Sequence, residues 1–234
     1  AGTNFSLHYH GLRGRMSAYW KSEEFRAYLR FILAGLGLMT VINAFTLSSE
    51  FLGSLKHSAF QVVSITTTTG FTTADFGQWH PAGQVVLLIL MFFGGSAGST
   101  GGSIKILRVL ILFKLVKVEL KKLLHPRAVI PVRIDGRNIP PHVVVNILAF
   151  VLLYFFIFAS ASLIMSLLGL DMVSAIGSVA ATLGNIGPGL GSVGPSANYL
   201  HIPLLGKWLL SFCMLAGRLE IYTVFVLFAK EFWK

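Results

Sequence analysis

A stretch rich in threonine and glycine, residues 64–105, holds the groups best suited to chemistry in this chain. It begins S-I-T-T-T-T-G-F-T-T and, after a polar connector and an apolar run, ends G-G-S-A-G-S-T-G-G-S-I-K. Four threonines before Gly70 can set carbonyl and hydroxyl oxygens along a narrow path, and rings of such oxygens replace the hydration shell of a small cation. The glycine-rich loop lies between apolar segments, where irregular backbone is tolerated only if it is buried in protein or lines a water-filled cavity. The stretch therefore predicts a cation filter followed by a constriction.

The composition indicates that this stretch lies in a membrane protein. The chain is 54% hydrophobic and 12% charged, with a mean hydropathy of +0.74. A soluble domain carries roughly 25% charged residues, so this chain has too few charges to cover a water-facing surface.

Apolar runs of two lengths must position the filter and the constriction. Residues 31–47 form an uncharged run of 17 residues and residues 143–170 one of 28, and both are predicted to be spanning helices. Residues 50–65 and 171–183 are too short to span and predict re-entrant half-helices. Further helices are predicted at 85–93, at 104–118 and, with an interruption at 217–220, at 203–232. The proline-containing residues 119–142 predict a loop.

The order of these elements repeats. Each unit is a helix, a half-helix, a strand with a glycine and a second helix, and 117 positions separate Gly70 from Gly187. We therefore predict an all-α membrane protein of repeated helix–pore half-helix–filter–helix units. The predicted segments are a cytoplasmic-side lead-in (1–30), a pore repeat with filter and gate loop (31–122), a cytoplasmic linker (123–142) and a second pore repeat (143–234). Four unrelated spanning helices would leave the matching half-helices unexplained.

The basic residues predict the orientation. Residues 1–30 hold five Lys or Arg, residues 105–137 hold nine and the tail holds two, whereas only Lys56 and Lys207 fall in the regions predicted to face the other side. This bias predicts that both termini are cytoplasmic. The net charge of +10 is thereby explained by topology and anionic lipid, and a nucleic-acid partner is not expected.

Arg218 lies within the otherwise apolar residues 207–228, with Glu220 two positions on. An intramembrane charge is costly and usually faces the protein interior or a water path. Positions two apart lie on different helix faces, so Arg218 needs an acceptor other than Glu220. The glycine-rich loop offers carbonyls at a similar depth. We predict that Arg218 donates hydrogen bonds to residues 98–102 and holds the loop across the path.

Patterns typical of an enzyme are missing from the sequence. No Ser/His/Asp set, paired carboxylates at a catalytic spacing or Cys/His cluster occurs. A nucleotide-binding Walker loop needs lysine directly after its last glycine, whereas Ser103 and Ile104 precede Lys105. We therefore expect no enzyme activity and no cofactor.

Four motifs together resemble the TrkH family of potassium-uptake proteins, in the superfamily shared with KtrB and the plant HKT transporters: T-T-T-T-G-F-T-T-A-D-F, G-G-S-A-G-S-T-G-G-S-I-K, A-T-L-G-N-I-G-P-G-L-G and G-R-L-E-I-Y. The resemblance covers essentially all 234 residues. It implies four pore repeats around one central pore, of which this chain holds the third and fourth, with the remaining pore repeats in a longer protein. It also implies a homodimer in the cell inner membrane and a cytosolic nucleotide-binding regulatory subunit.

The resemblance also implies roles for individual residues. The filter residues would be Thr67, Thr68, Thr69, Gly70, Gly184, Asn185, Ile186 and Gly187. Within this set, K⁺ would bind at Thr68, Thr69, Gly70, Asn185, Ile186 and Gly187. The gate would comprise Gly94, Gly95, Gly98, Ser99, Thr100, Gly101, Gly102 and Arg218. Glycine at both filter positions is consistent with potassium, and Asn185 and Pro188 make the two strands only pseudo-symmetric.

The function expected from the sequence is potassium uptake, driven by the membrane potential, through a carbonyl-lined filter gated by the glycine-rich loop. Two alternatives stay open at this point. One is a non-conducting membrane scaffold or assembly subunit. The other is an ion-coupled symporter, for which Glu220 is the only candidate intramembrane acid.

Overall fold

The computed structural model describes residues 2–46 and 51–233, and helices dominate it. The described residues form ten α-helices: α1 (Phe5–Leu12), α2 (Ser17–Lys21), α3 (Glu23–Thr46), α4 (Phe51–Thr66), α5 (Pro81–Phe92), α6 (Ile106–Leu124), α7 (Pro141–Leu167), α8 (Met172–Leu183), α9 (Leu204–Arg218) and α10 (Ile221–Val226). Short 3₁₀ turns cover Phe76–Gln78, Gly191–Val193 and Lys230–Trp233. Strands β1 (Arg133–Ile134) and β2 (Arg137–Asn138) form the one small sheet of the described residues.

Among the described residues, two helices are long and apolar enough to cross a membrane by length and composition. They are α3, with 24 residues, and α7, with 27 residues, and an 18-residue window within each has a mean hydropathy of 1.6 and 2.6, respectively. Helices of this length match the hydrocarbon thickness of a bilayer, whereas α4 and α8, with 16 and 12 residues, do not. The alternation of long and short helices predicted from the sequence is therefore present.

Several predicted boundaries differ from the structure. Helix α3 begins at Glu23 rather than at residue 31, because charged residues end an apolar run without ending a helix. Helix α5 begins at Pro81 rather than at residue 85, because proline is favourable in a first helical turn and the His80 ring nitrogen accepts a hydrogen bond from Ala82 N–H. Residues 47–50, which include the predicted ends at 47 and 50, lie outside the described residues.

The predicted loop 119–142 was wrong at both ends and in the middle. Helix α6 runs on to Leu124, and α7 already begins at Pro141. Between them β1 and β2 pair antiparallel across Asp135 and Gly136, whose φ angles are 47° and 77°. Two left-handed residues in a two-residue turn match the twist of a hairpin, and the sequence Asp-Gly is a known signal for it.

The predicted last helix, residues 203–232, is divided in the structure. Helix α9 ends at Arg218, and α10 begins at Ile221 after Glu220, whose φ is 61°. A left-handed residue cannot continue a right-handed helix. This break sets Arg218 and Glu220 at the junction of two helices, so their relative direction is decided by the junction and not by helical spacing.

Two hydrophobic clusters surround the predicted filter. One is built from α7, α8 and α9 and includes Tyr154, Leu183 and Cys213. The other is built around α3, α4 and α5 and also includes Ile186 and Leu190, which follow α8. Because the strand after α8 contributes to the core of the other unit, the two units pack as one body around the filter strands.

Asp171 caps the N-terminus of α8 and gives a test of half-helix stability. Its carboxylate accepts a hydrogen bond from Ser174 N–H at 3.1 Å. We expect Asp171→Ala to lower the free energy of unfolding by about 1 kcal/mol, and Asp171→Asn, which still caps, to lower it much less.

The same hydrogen bonds make this stabilisation depend on pH. Hydrogen bonds from Ser174, first from its side chain and then from its N–H, hold the pKa of Asp171 below its ordinary value. The stabilisation is therefore present above the ordinary pKa and is lost as the pH falls through the folded-state pKa. Thermal unfolding of the detergent-solubilised protein at several pH values measures both effects, and equal losses in the two variants would contradict the cap.

Candidate filter and gate

The segment after α4 and the segment after α8 have left-handed residues at two matched positions. Thr68 and Asn185 have φ angles of 51° and 55°, and Gly70 and Gly187 have φ angles of 78° and 114°. Each pair is separated by 117 positions. A left-handed conformation is unfavourable for a β-branched residue such as Thr68, so its presence at the matched position shows that the surrounding structure imposes it.

The backbone hydrogen bonds of the two strands repeat in the same way. Three successive amide groups in each strand donate back to the preceding half-helix, and all six N···O distances are 2.9–3.0 Å: Thr67 to Val63, Thr68 to Ile65, Thr69 to Ser64, Gly184 to Ala180, Asn185 to Thr182 and Ile186 to Ala181. With the amides turned towards the helices, the carbonyl groups of Thr68, Thr69, Asn185 and Ile186 accept no hydrogen bond from the described residues. These oxygens are available to coordinate a cation.

Two carbonyls of the predicted set are already hydrogen-bonded. The Gly184 carbonyl accepts from the Ser103 hydroxyl at 3.3 Å, and the Gly187 carbonyl accepts from the Tyr199 hydroxyl at 2.8 Å. Burial raises the pKa of Tyr199 to about 12, so this hydroxyl keeps its proton and remains a donor at neutral pH. In the second strand the residues between these two, Asn185 and Ile186, therefore carry the free carbonyls.

The two strands touch at Gly70. A Cβ added to Gly70 would lie 2.0 Å from the carbonyl oxygen of Ile186 and 3.3 Å from the Pro188 ring. No real Cβ atom approaches a backbone oxygen that closely, so the contact requires glycine at this position. The structure thus brings the predicted filter glycine of one unit against a candidate coordinating carbonyl of the other.

The predicted gate loop, residues 94–103, leaves α5 and returns to nearly the same place. Its ends are joined by hydrogen bonds of 3.0 Å from Gly94 N–H to the Ile104 carbonyl and from Ile104 N–H to the Phe92 carbonyl. Near its end Gly102 N–H donates to the Thr68 hydroxyl at 3.0 Å, and a Cβ on Gly102 would lie 2.2 Å from the Gly184 carbonyl. The loop is therefore in direct contact with both filter strands.

Two basic side chains hold the tip of this loop. Arg218 donates to the Thr100 carbonyl, so the predicted hydrogen bond is present. Lys105 donates to the Ser99 carbonyl at 3.3 Å and to the Gly101 carbonyl. Three successive carbonyls of the loop are thus bound by cationic side chains. The sequence analysis missed the contribution of Lys105, although its position directly after the glycine-rich motif was the available signal.

Arg218 does not form an ion pair with Glu220. The Glu220 carboxylate is paired with Arg108 at 2.5 Å, and the Arg108 guanidinium lies over the Phe150 ring at 4.0 Å. The expectation that Arg218 and Glu220 would not neutralise each other is consistent with this geometry.

The other side of the loop is held by the N-terminal part of the chain. The Glu24 carboxylate accepts from Ala97 N–H at 2.6 Å, and the Gly2 carbonyl accepts from Ser96 N–H at 2.7 Å. Phe5 N–H donates to the Gly98 carbonyl at 3.2 Å. The sequence analysis missed Glu24, which is 7% exposed and lies far from the loop along the chain.

The described residues form a helical fold with two helices of membrane-spanning length, two half-helices that end at matched strands, and a loop between them that basic side chains bind. Comparison with known families assigns this fold to a class of protein. The family model described as "TrkH: Cation transport protein" matches residues 1–234. The chain belongs to the TrkH family.

The matches to individual relatives take in most or nearly all of this chain but only about half of each relative. The Trk system potassium uptake protein TrkH of Halomonas elongata is 39% identical over 232 residues, which are 99% of this chain and 48% of the relative. The uptake protein TrkG of Escherichia coli K12 is 36% identical over 208 residues, or 87% of this chain and 42% of the relative. The crystal structure of the potassium transporter TrkH from Vibrio parahaemolyticus superposes with a TM-score of 0.90 at 37% identity, covering 99% of this chain and 50% of that one. The chain spans about half the length of the curated relatives it matches.

Proposed function

We propose that this chain supplies two pore repeats of a potassium-uptake protein. The observation that carries the proposal is the pair of matched left-handed strands, with free carbonyls at Thr68, Thr69, Asn185 and Ile186, above a loop clamped by Arg218. The names of the relatives, Trk system potassium uptake proteins, support K⁺ as the transported ion.

In the proposed mechanism the cation enters from the outer side and exchanges hydration water for filter carbonyls. Helices α4 and α8 end at the filter, so the negative ends of their dipoles favour a cation there. A membrane potential supplies about 2.3 kcal/mol per charge per 100 mV, which is enough to drive accumulation without a coupled ion. The loop at residues 94–103, with Lys105 and Arg218 bound to it, closes the path, and its release opens it.

The proposed partners follow from the same arrangement. Two strands make half of a ring, so the remaining pore repeats of the full-length protein complete the filter. Membrane lipid or those repeats would cover the large exposed apolar side chains of the helices, among them Phe45, which is 85% exposed. A homodimer in the cell inner membrane, with cytoplasmic termini and a cytosolic nucleotide-binding regulatory subunit, completes the proposal. No cofactor is proposed on this chain.

The test is uptake of radiolabelled Rb⁺ into liposomes that hold the four-repeat protein, with a potential imposed and the regulatory subunit present. We expect uptake that follows the potential, competes strongly with K⁺ and weakly with Na⁺, and does not need a proton or sodium gradient. Empty liposomes are the control.

The same assay separates the two alternative functions. No uptake under any imposed potential would favour a non-conducting scaffold or assembly subunit. Uptake that requires a proton or sodium gradient would favour a symporter, although the acid such a carrier needs, Glu220, is already engaged with Arg108 in the structure.

A further inference from the structure

A polar cavity of about 380 Å³ lies beside the gate loop, between the start of α6, the middle of α7 and the α9–α10 junction. Polar residues make up most of its lining: Ser99, Thr100, Ser103, Lys105, Arg108, Tyr154, Arg218 and Glu220. At about 30 Å³ of liquid volume each, roughly a dozen waters would fill it. The cavity is therefore large enough to take a small ligand together with water.

The charges around this cavity do not balance. Three side chains are cationic and one is a carboxylate. That carboxylate, Glu220, is paired with Arg108, which also stacks on Phe150. Among the described residues, the hydrogen bonds of Lys105 and Arg218 go only to backbone carbonyls of the loop. Lys105 and Arg218 thus make hydrogen bonds with neutral acceptors alone, although the Glu220 and Glu24 carboxylates also attract Lys105 at longer range. Charges at membrane depth are usually paired.

The hydroxyl of Tyr154 is a second sign of a ligand. The side chain is 1% exposed and lines the cavity, and its oxygen has no hydrogen-bond partner of acceptable geometry among the described residues. Ser103 is nearby and donates to the Met91 carbonyl at 2.7 Å, but no hydrogen bond of acceptable geometry joins its hydroxyl to that of Tyr154. Buried hydroxyl groups without a partner are rare in native proteins, and a site that takes up an ion or water is one setting in which they occur.

We propose that this cavity binds a phosphate-type anion, held by Lys105, Arg218 and the Tyr154 hydroxyl. Guanidinium and ammonium groups form strong, charge-assisted hydrogen bonds with phosphate oxygens, and arginine can make two in parallel. The ligand is either inorganic phosphate or the phosphate of an anionic lipid headgroup, since the same chemistry recognises both.

The anion and the loop compete for the same two cations. In the observed position of the loop, Lys105 and Arg218 donate hydrogen bonds to the carbonyls of Ser99, Thr100 and Gly101. When the loop leaves, the anion replaces those acceptors and neutralises the positive charge that would repel a passing cation. A ligand that binds one state better than another shifts the population towards that state. The anion therefore stabilises the open state of the loop. This effect on the loop rests on the proposed function, whereas the binding of the anion does not.

Binding is tested first, on the purified full-length protein in detergent, by thermal unfolding with millimolar inorganic phosphate at constant ionic strength. We expect the midpoint temperature to rise with phosphate, as it does for any ligand that binds the folded state alone. Tyr154→Phe should weaken the apparent phosphate affinity about fivefold, the effect of one lost hydrogen bond. The matched control is Tyr222→Phe, whose hydroxyl donates to the Asn146 carbonyl at 3.1 Å and lies outside this cavity.

Uptake of Rb⁺ then identifies the source of the anion and its effect. Liposomes of neutral lipid, neutral lipid with phosphate, and lipid with an anionic phosphate headgroup are compared for wild type and Tyr154→Phe. If one phosphate source stimulates uptake by the wild type and Tyr154→Phe reduces this stimulation, the result supports the site and identifies the source. The proposal would be overturned if phosphate changed neither the unfolding temperature nor uptake. It would also be overturned if Tyr154→Phe and Tyr222→Phe weakened the phosphate effect equally. A thermal shift without any uptake would leave the site standing and count against the proposed function instead.

Discussion

Replacing Gly70 with alanine is expected to lower Rb⁺ uptake at least tenfold (about 1.4 kcal/mol) and to weaken the preference for K⁺ over Na⁺. The φ of Gly70 is 78°, and a left-handed conformation costs an L-residue about 1–2 kcal/mol. The new Cβ would also lie 2.0 Å from the Ile186 carbonyl oxygen, so that oxygen must move. Because we propose that this oxygen coordinates K⁺, one methyl group disturbs both strands of the filter.

The control for this substitution is Gly53→Ala. Gly53 lies in α4, the same half-helix unit, and a Cβ there would meet nothing within 4 Å of the described structure. Alanine is a better helix former than glycine, so Gly53→Ala should leave uptake unchanged and stabilise the helix by about 1 kcal/mol. Uptake and ion preference are measured for both variants against wild type at equal protein in the liposomes. Uptake unaffected by Gly70→Ala would remove Gly70 from the filter while leaving transport itself intact.

The left-handed conformation of Gly70 and Gly187 was predictable from the sequence, whereas that of Thr68 and Asn185 was not. Gly70 and Gly187 end polar segments after short apolar runs, and a glycine in such a place signals a conformation closed to other residues. Thr68 and Asn185 adopt a similar conformation, with φ angles of 51° and 55°. Nothing local in T-T-T-T-G predicts this for a β-branched residue, because it is imposed by the packing of the strand, including the contact of Gly102 with the Thr68 hydroxyl.

Some contacts of the predicted gate loop can likewise be predicted from the sequence, and others cannot. Arg218 was predicted to bind the loop because an intramembrane charge must find an acceptor, which is a rule that needs no coordinates. Glu24 lies 73 positions from Ala97, whose N–H it accepts, and only the folded structure brings the two together. Helix α3 likewise extends back to Glu23, since the apolar run marks the membrane span and not the helix.

Replacing Arg218 with alanine is expected to raise Rb⁺ uptake about ten- to hundredfold in the absence of any activating partner. The Arg218 guanidinium donates to the Thr100 carbonyl, and hydrogen bonds to charged groups contribute about 1.5–3 kcal/mol. If that bond is made only when the loop is closed, its loss shifts the closed–open equilibrium by the corresponding factor. Removing the charge also removes an electrostatic barrier to a cation below the filter. Initial uptake rates at a fixed potential measure both effects together.

Three further variants separate the effect of the Arg218 hydrogen bond from a general disturbance of α9. Arg218→Lys keeps the charge but has no planar fork, so we expect a smaller rise in uptake. Lys207→Ala removes a cation from the other end of the same helix, where it donates to the Leu200 carbonyl, and should leave uptake near that of wild type. Because Lys105 still binds the carbonyls of Ser99 and Gly101, the loop in Arg218→Ala remains partly held, and Lys105→Gln combined with Arg218→Ala should conduct more than either alone. Unchanged or lower uptake in Arg218→Ala, with the protein folded, would mean that the arginine supports the structure of the loop without closing the path.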